Sequence, residues 1–217
     1  MIRGIVFDMD GVIIDSHPIH RRAWKTFLQT VGREVSDGEL DFILDGHKRE
    51  DILRYFLGEL TPAQIAEHGT HKDEMLRLLA EDMQPLPGAV DFLDSLCQLG
   101  IRIGLATSAG THRAHGTLKD LGLSHYFDAI VTGDEVATGK PNPEIYLLVA
   151  ERLNETPENL LAVEDAVSGV KAARAAGMRC VGIASTDRAE QLRAAGADPV
   201  VPDFQSLSFE QLELSLR

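Results

Sequence analysis

The sequence holds two cysteines, Cys97 and Cys180, far apart and without a second metal ligand at zinc-site spacing. A disulfide-stapled scaffold is thereby excluded, and both thiols are expected to be buried or half-buried in a reducing cytosol. No stretch of about 18 apolar residues occurs, so no helical membrane span is expected. The first residues lack a basic segment followed by a long apolar run and a small-residue cleavage site, so no secretory signal is read. Basic residues are scarce: 21 Lys and Arg stand against 34 Asp and Glu, a formal charge of −13. That balance argues against nucleic acid or an anionic membrane as the main partner. Small phosphorylated ligands remain, since they need only local positive charge. Repeats and low-complexity tracts are also missing. What is present, 217 residues at 44% hydrophobic, suffices for one ordinary domain or a core carrying a smaller insert.

Periodicity divides the chain. Residues 5–7 read as a short buried strand. From 16 to about 83 the pattern is helical throughout. Ile19, Ala23, Trp24, Phe27, Leu28 and Val31 share one helix face, and Gly32 marks its end. Ser36–Glu39 and Thr61–Gln64 read as capping boxes, the second with Pro62 at the first helical position. After "PLPGAV" (85–90) strands and helices alternate. Strands are expected in "IRIGLAT", "FDAIVTG", "NLLAVED", "RCVGIA" and "ADPVV", with helices between them. Asn142 caps one of these helices and Gly177 ends another. Such alternation predicts an α/β fold, a doubly wound parallel sheet with helices on both faces. The expected division is a core of residues 1–15 and 84–217 with an inserted helical cap of residues 16–83.

Open parallel sheets bind ligands beyond the carboxyl ends of their strands. The expected ends are rich in chemistry. Asp8 and Asp10 follow the first strand, with Gly11 allowing a tight turn. Thr107 and Ser108 end the second, Glu164 and Asp165 end the fourth, and Lys140 lies in the loop after the third. Carboxylates crowded this way repel one another unless a cation intervenes. Magnesium, which takes about six oxygen ligands, suits them. Lysine, metal and backbone amides together make a site for a phosphate dianion.

"FDMDGVIIDS", "ATS", "TGKPNPEIY" and "VEDAVSGVKAARAAGM" together resemble the haloacid dehalogenase-like phosphohydrolase superfamily, over the whole chain and in chain order. Within it the chain is most similar to the β-phosphoglucomutase and phosphoglycolate phosphatase group; "HRRAW" (20–24) and "GHKRED" (46–51) resemble cap segments of the mutase. The resemblance implies a Rossmann-like core in which Asp8 attacks phosphorus and becomes an aspartyl phosphate. Asp10 is then the general acid and base, a role worth about 10²–10⁴-fold. Thr107 and the amide of Ser108 bind the transferring phosphoryl group, and Lys140 neutralises it. Mg²⁺ is held among Asp8, Asp10, Glu164 and Asp165. Ser16 and His20, one helical turn apart, match positions that gate the acid/base aspartate and meet substrate.

The planar fork of Arg49 suits a distal phosphate or carboxylate; a salt bridge with a nearby acid is the alternative. Lys72 reads as a solvated helix residue, and Trp24, Met75, Leu76, Leu78 and Leu79 as cap packing. One departure from the mutases is visible. Ala109 and Gly110 stand where a hydroxyl and a lysine that grip a second phosphate are expected, followed by Thr111, His112 and Arg113. This favours a phosphatase of small metabolites over a sugar phosphomutase. A non-catalytic binding protein on the same fold would lack Asp8 or Asp165, and both are present. The expected setting is cytoplasmic, as a monomer or small homo-oligomer.

Overall fold

The structure, a computed structural model, describes residues 2–79, 83–205 and 207–215. Six parallel strands form one sheet: β1 (Gly4–Phe7), β2 (Arg102–Thr107), β3 (Ala129–Thr132), β4 (Leu160–Glu164), β5 (Arg179–Ile183) and β6 (Val200–Val201). Their spatial order is β3-β2-β1-β4-β5-β6. The first strand is central, and the order reverses beside it, the topological switch point where ligands bind in open α/β sheets.

Successive residues of β1 serve opposite faces. Ile5 and Phe7 pack with Phe92, Leu93 and Leu96 of α4 (Ala89–Gln98). Val6 packs with Tyr146 and Val149 of α6 (Glu144–Leu153) and Val170 of α7 (Val167–Ala175). Both faces are covered, which is why the strands read as unbroken apolar runs. The layering is completed by α5 (Thr111–Asp120) and α8 (Thr186–Ala195). A last helix, α9 (Phe209–Ser215), was not anticipated from the sequence.

Between β1 and α4 come α1 (His17–Thr30), a 3₁₀ helix (Glu39–Leu44), α2 (Arg49–Leu57) and α3 (Pro62–Leu78), with no strand among the described residues. They carry their own apolar cluster, which includes Trp24, Phe27, Leu28, Leu40, Leu53 and Phe56. Residues 80–82, where the insert is expected to end, lie outside the described residues. The Thr61–Gln64 capping box forms in both directions. The Ser36–Glu39 box also forms, but the helix it opens is a short 3₁₀ turn. It gives way to Asp45 and then to Gly46, whose φ of +74° belongs to the left-handed region.

Three expectations are corrected. Leu78 is 64% exposed, because it lies about 200° around α3 from the buried Leu76. Lys72 is buried, at 4% exposure, since its helix face turns toward Trp24. Of the thiols, Cys180 is buried but Cys97 is exposed. No helix of the described residues is long and apolar enough to cross a membrane.

Candidate active site

The sheet register assembles the site. Phe7 pairs with Leu105 on one side and Val163 on the other, so the next residue, Asp8, stands level with Ala106 and Glu164. The Asp8 amide still donates to the Val163 carbonyl, 3.0 Å. Lys140, from the loop between β3 and α6, reaches under this edge. Its ammonium donates to Asp8 Oδ1 at 2.6 Å, Glu164 Oε1 at 2.6 Å and the Ala106 carbonyl at 3.0 Å. Those bonds use all three ammonium protons. Burial alone would pull the Lys140 pKa down; the Asp8 and Glu164 charges more than reverse that and hold it above the usual lysine range.

Glu164 is filled on both oxygens. Oε1 also accepts from the Tyr146 hydroxyl at 2.6 Å. Oε2 accepts from the amides of Asp165 at 3.1 Å and Ala166 at 3.4 Å. Gly169 leaves the room: a Cβ there would stand 2.0 Å from Glu164 Oε1. Burial, then the Glu164 charge, pushes the Tyr146 phenol well above its ordinary range, so it remains a donor.

Asp8, Glu164 and Asp165 each offer a buried oxygen within 4.8 Å of the others. Three carboxylates around one lysine leave a negative surplus. Burial is the largest influence on Asp8 and raises its pKa well above normal; Lys140 opposes this, and Glu164, Asp165 and Asp10 add to it. Asp165 Oδ2 is buried and accepts no hydrogen bond. His17 Nε2 stands 3.0 Å from it and Arg188 3.7 Å away. A hard cation fits this donor set: buried oxygens, surplus charge and one orphaned carboxylate oxygen. Gly11, at φ +77°, is required here, because a Cβ would meet His17 at 2.3 Å and Asp165 at 2.5 Å.

Asp10 faces a different group of side chains. Ser16 donates to its Oδ1 at 2.7 Å and the His20 ring lies 3.2 Å away. Arg113 of α5 takes both oxygens, NH1 on Oδ1 at 3.1 Å and NH2 on Oδ2. Burial would raise the Asp10 pKa, but Arg113 and then His20 overcome it and hold the carboxyl well below normal. Burial is also the main reason that the His20 ring drops to about 4, which leaves it neutral at pH 7.

Thr107 is buried, and its hydroxyl accepts from the Ala109 amide at 3.1 Å. The Ser108 hydroxyl donates to the Gly46 carbonyl at 2.6 Å, joining a strand tip to the segment before α2. Other bonds make the same junction. Ser168 donates to the Asp45 carbonyl, Arg188 to the Leu44 carbonyl at 3.2 Å, and Lys48 to the Val136 carbonyl at 2.9 Å. Arg49 pairs with Asp73 while still lining the cavity above Asp8 and Asp10. Lys72 lines it too, 5.3 Å from the centre of the Trp24 ring.

All ten residues singled out from the sequence thus surround one cavity or its floor. Sequence reasoning passed over Tyr146, His17, Ser168 and Arg188, and noted Arg113 without its partner. Tyr146 carried a faint signal: a hydroxyl on the apolar face shared with Val149, Ala150 and Leu153.

A parallel sheet whose central strand tips bring an Asp-x-Asp pair, a buried lysine and a Glu-Asp pair to one rim defines an α/β enzyme working at its sheet edge. The comparisons specify which. A model of the haloacid dehalogenase-like hydrolases matches residues 2–177, and the chain belongs to that family. It is 35% identical over 211 residues to the phosphorylated carbohydrates phosphatase of Thermotoga maritima, covering 95% of this chain and 97% of that one. It is 38% identical to the fructose-1-phosphate phosphatase YqaB of Escherichia coli, over 83% of this chain and 95% of that one. The structure resembles that of β-phosphoglucomutase from Clostridium difficile, with a TM-score of 0.87, 30% identity and coverage of 99% and 97%.

Proposed function

We propose that this enzyme hydrolyses phosphate monoesters of small metabolites, with Asp8 as nucleophile. The observation that carries the reading is Lys140 held between Asp8 and Glu164 at the central strand tip. A carboxylate is a weak nucleophile, so rate must come from positioning and charge neutralisation. The strand fixes Asp8. Lys140 supplies a fixed positive charge beside the oxygen that attacks. Thr107 and the Ser108 amide, at the neighbouring tip, bind the phosphoryl oxygens. Asp10 gives a proton to the leaving alkoxide, then takes one from the water that cleaves the acyl phosphate. Arg49 meets the far end of the substrate.

Mg²⁺ is the proposed cation, held by Asp8 and Asp165 side chains and the Asp10 carbonyl; when bound it neutralises charge on the transferring phosphoryl group. Glu164 belongs less to the metal than to Lys140, since both its oxygens are filled. Residues 16–83 act as a lid that excludes water during transfer. The cytoplasmic setting and monomeric or small oligomeric state belong to the same proposal.

Hydrolysis is preferred to mutase chemistry because Ala109 and Gly110 offer no side chain to grip a second phosphate. The fructose-1-phosphate and phosphorylated-carbohydrate phosphatases named above support the same choice. The test is phosphate release from a panel of phosphorylated metabolites with Mg²⁺, for the wild type and for Asp8→Asn. The variant is expected to lose at least about 10³-fold in kcat while keeping its fold by circular dichroism. Near-wild-type release would remove the nucleophile assignment. Conversion of β-glucose 1-phosphate to glucose 6-phosphate faster than to free phosphate would favour a mutase.

A further inference from the structure

We propose that Arg113 is a specificity residue, which releases Asp10 when a second anionic group of the substrate takes its guanidinium. This rests on the phosphatase reading above. Asp10 receives four donors: Ser16, His20 and Arg113 NH1 at Oδ1, and Arg113 NH2 at Oδ2. An ionised carboxylate has about four acceptor positions. Three of the four fall on Oδ1 and Arg113 also takes Oδ2, so this bidentate grip must open before Asp10 can take up a proton and pass it to a leaving-group oxygen.

The withdrawal needs a replacement anion. The Arg113 side chain is 14% exposed, and a guanidinium stripped from its carboxylate at such a site is left buried and unpaired, which is strongly unfavourable. A phosphate or carboxylate of the substrate restores the bidentate pairing. The surroundings favour such a group. Lys72 and Arg49 line the same cavity as Arg113, and the carboxylates paired with these three cations are Asp73 and Asp10. Lys72 Nζ lies 3.6 Å from Asp73 Oδ1, which Arg49 already shares through Oδ2. These three cations outnumber the two carboxylates paired with them by one. Arg113 is the third residue of α5, past the Ala109–Gly110 gap, so it meets the second anion from a different place than a side chain at 109 or 110 would.

The experiment compares glucose 6-phosphate, with one anionic group, against 6-phosphogluconate and glucose 1,6-bisphosphate, which carry a second carboxylate or phosphate. For the wild type, kcat/KM is expected to be at least about 10-fold higher on one or both doubly anionic substrates; the better one identifies the group. Arg113→Ala is expected to erase that preference, with a loss of about 10- to 100-fold on the doubly anionic substrate, mostly in KM, and a rise in kcat on glucose 6-phosphate, since Asp10 is no longer held. Arg113→Lys, which keeps charge without the fork, should fall between.

An equal fall in kcat on all three substrates would overturn the proposal, because Arg113 would then only orient Asp10. A wild type without preference would overturn it too. If the wild type releases phosphate from none of the three, the phosphatase reading is what suffers. Arg113 is then read by affinity: Asp8→Asn should bind glucose 1,6-bisphosphate at least about 10-fold more tightly than Asp8→Asn with Arg113→Ala, and equal affinities would refute the role.

Discussion

Tyr146→Phe isolates one bond of the buried network. The hydroxyl donates to Glu164 Oε1 at 2.6 Å, and Tyr146 is fully buried. Phenylalanine keeps the ring, so its packing against Val149 and Val170 survives, as does the approach of Lys140 to within 5.3 Å of the ring centre. What is lost is a hydrogen bond to a buried charge, worth about 1.5–3 kcal/mol. No replacement donor can enter, because water is excluded and Lys140 already donates to the same oxygen. For a chain of this size about 1 kcal/mol shifts Tm by roughly 2–4 °C, so the expected fall is about 3–12 °C. Glu164→Gln removes the charge that the phenol serves. The two substitutions together should therefore cost less than their sum, by about 1–3 kcal/mol. Calorimetry or urea unfolding of the four proteins reads this cycle. Additive effects, or a Tyr146→Phe protein within 1 °C of wild type, would refute the claim that Glu164 is a saturated anchor.

Two further outcomes are expected. Burial, with help from Arg113, pulls Lys72 down to about 8. The unfolded chain then binds more protons than the folded one between pH 8 and about 10.5, and stability rises with pH across that window. Lys72→Met should stabilise the protein by up to ~3 kcal/mol at pH 7, with the gain fading to nothing by about pH 10.5; urea unfolding at pH 7, 9 and 10.5 checks it, and a gain independent of pH would contradict it. Gly169→Ala drives a Cβ to 2.0 Å from a carboxylate that cannot move aside, so a loss of about 3–5 kcal/mol is expected, visible as a sharply lower Tm; a neutral result would mean that Glu164 has somewhere else to go.

The fold was legible because strand alternation and turn residues agree along the chain. The ladder from Ile5 to Val201 could be read from apolar runs punctuated by glycine. Asp8, Asp10, Lys140, Glu164 and Asp165 were legible for a related reason: each falls within three residues of a strand end or at a helix entry, and a parallel sheet carries such positions to one edge. The partners of these residues were not legible. Arg113 reaches Asp10 across 103 positions and His17 reaches Asp165 across 148, distances at which no local pattern operates. Lys72 looked solvated because composition treats a lysine among polar neighbours as exposed, whereas the face it shares with Leu76 points inward. Glu164 and Asp165 are adjacent and chemically alike, yet one is saturated by donors and the other has an orphaned oxygen. Only the direction of each side chain separates them.

The junction between residues 44–46 and the strand tips is read through main-chain oxygens. Arg188, Ser168 and Ser108 each hold a carbonyl, and the Asp45 carboxylate adds to the grip by taking the Ser168 amide and facing Arg188. Gly46 is constrained twice, by its positive φ and by Ser168 Oγ, which would stand 2.9 Å from a Cβ there. Docking and recognition are in this way assigned to different atoms of one short stretch. Leu44 and His47 line the cavity and can drift under selection for new metabolites while the fastening stays the same, so an engineer seeking altered substrate range would randomise 44 and 47 first and leave Asp45, Gly46 and the serines alone.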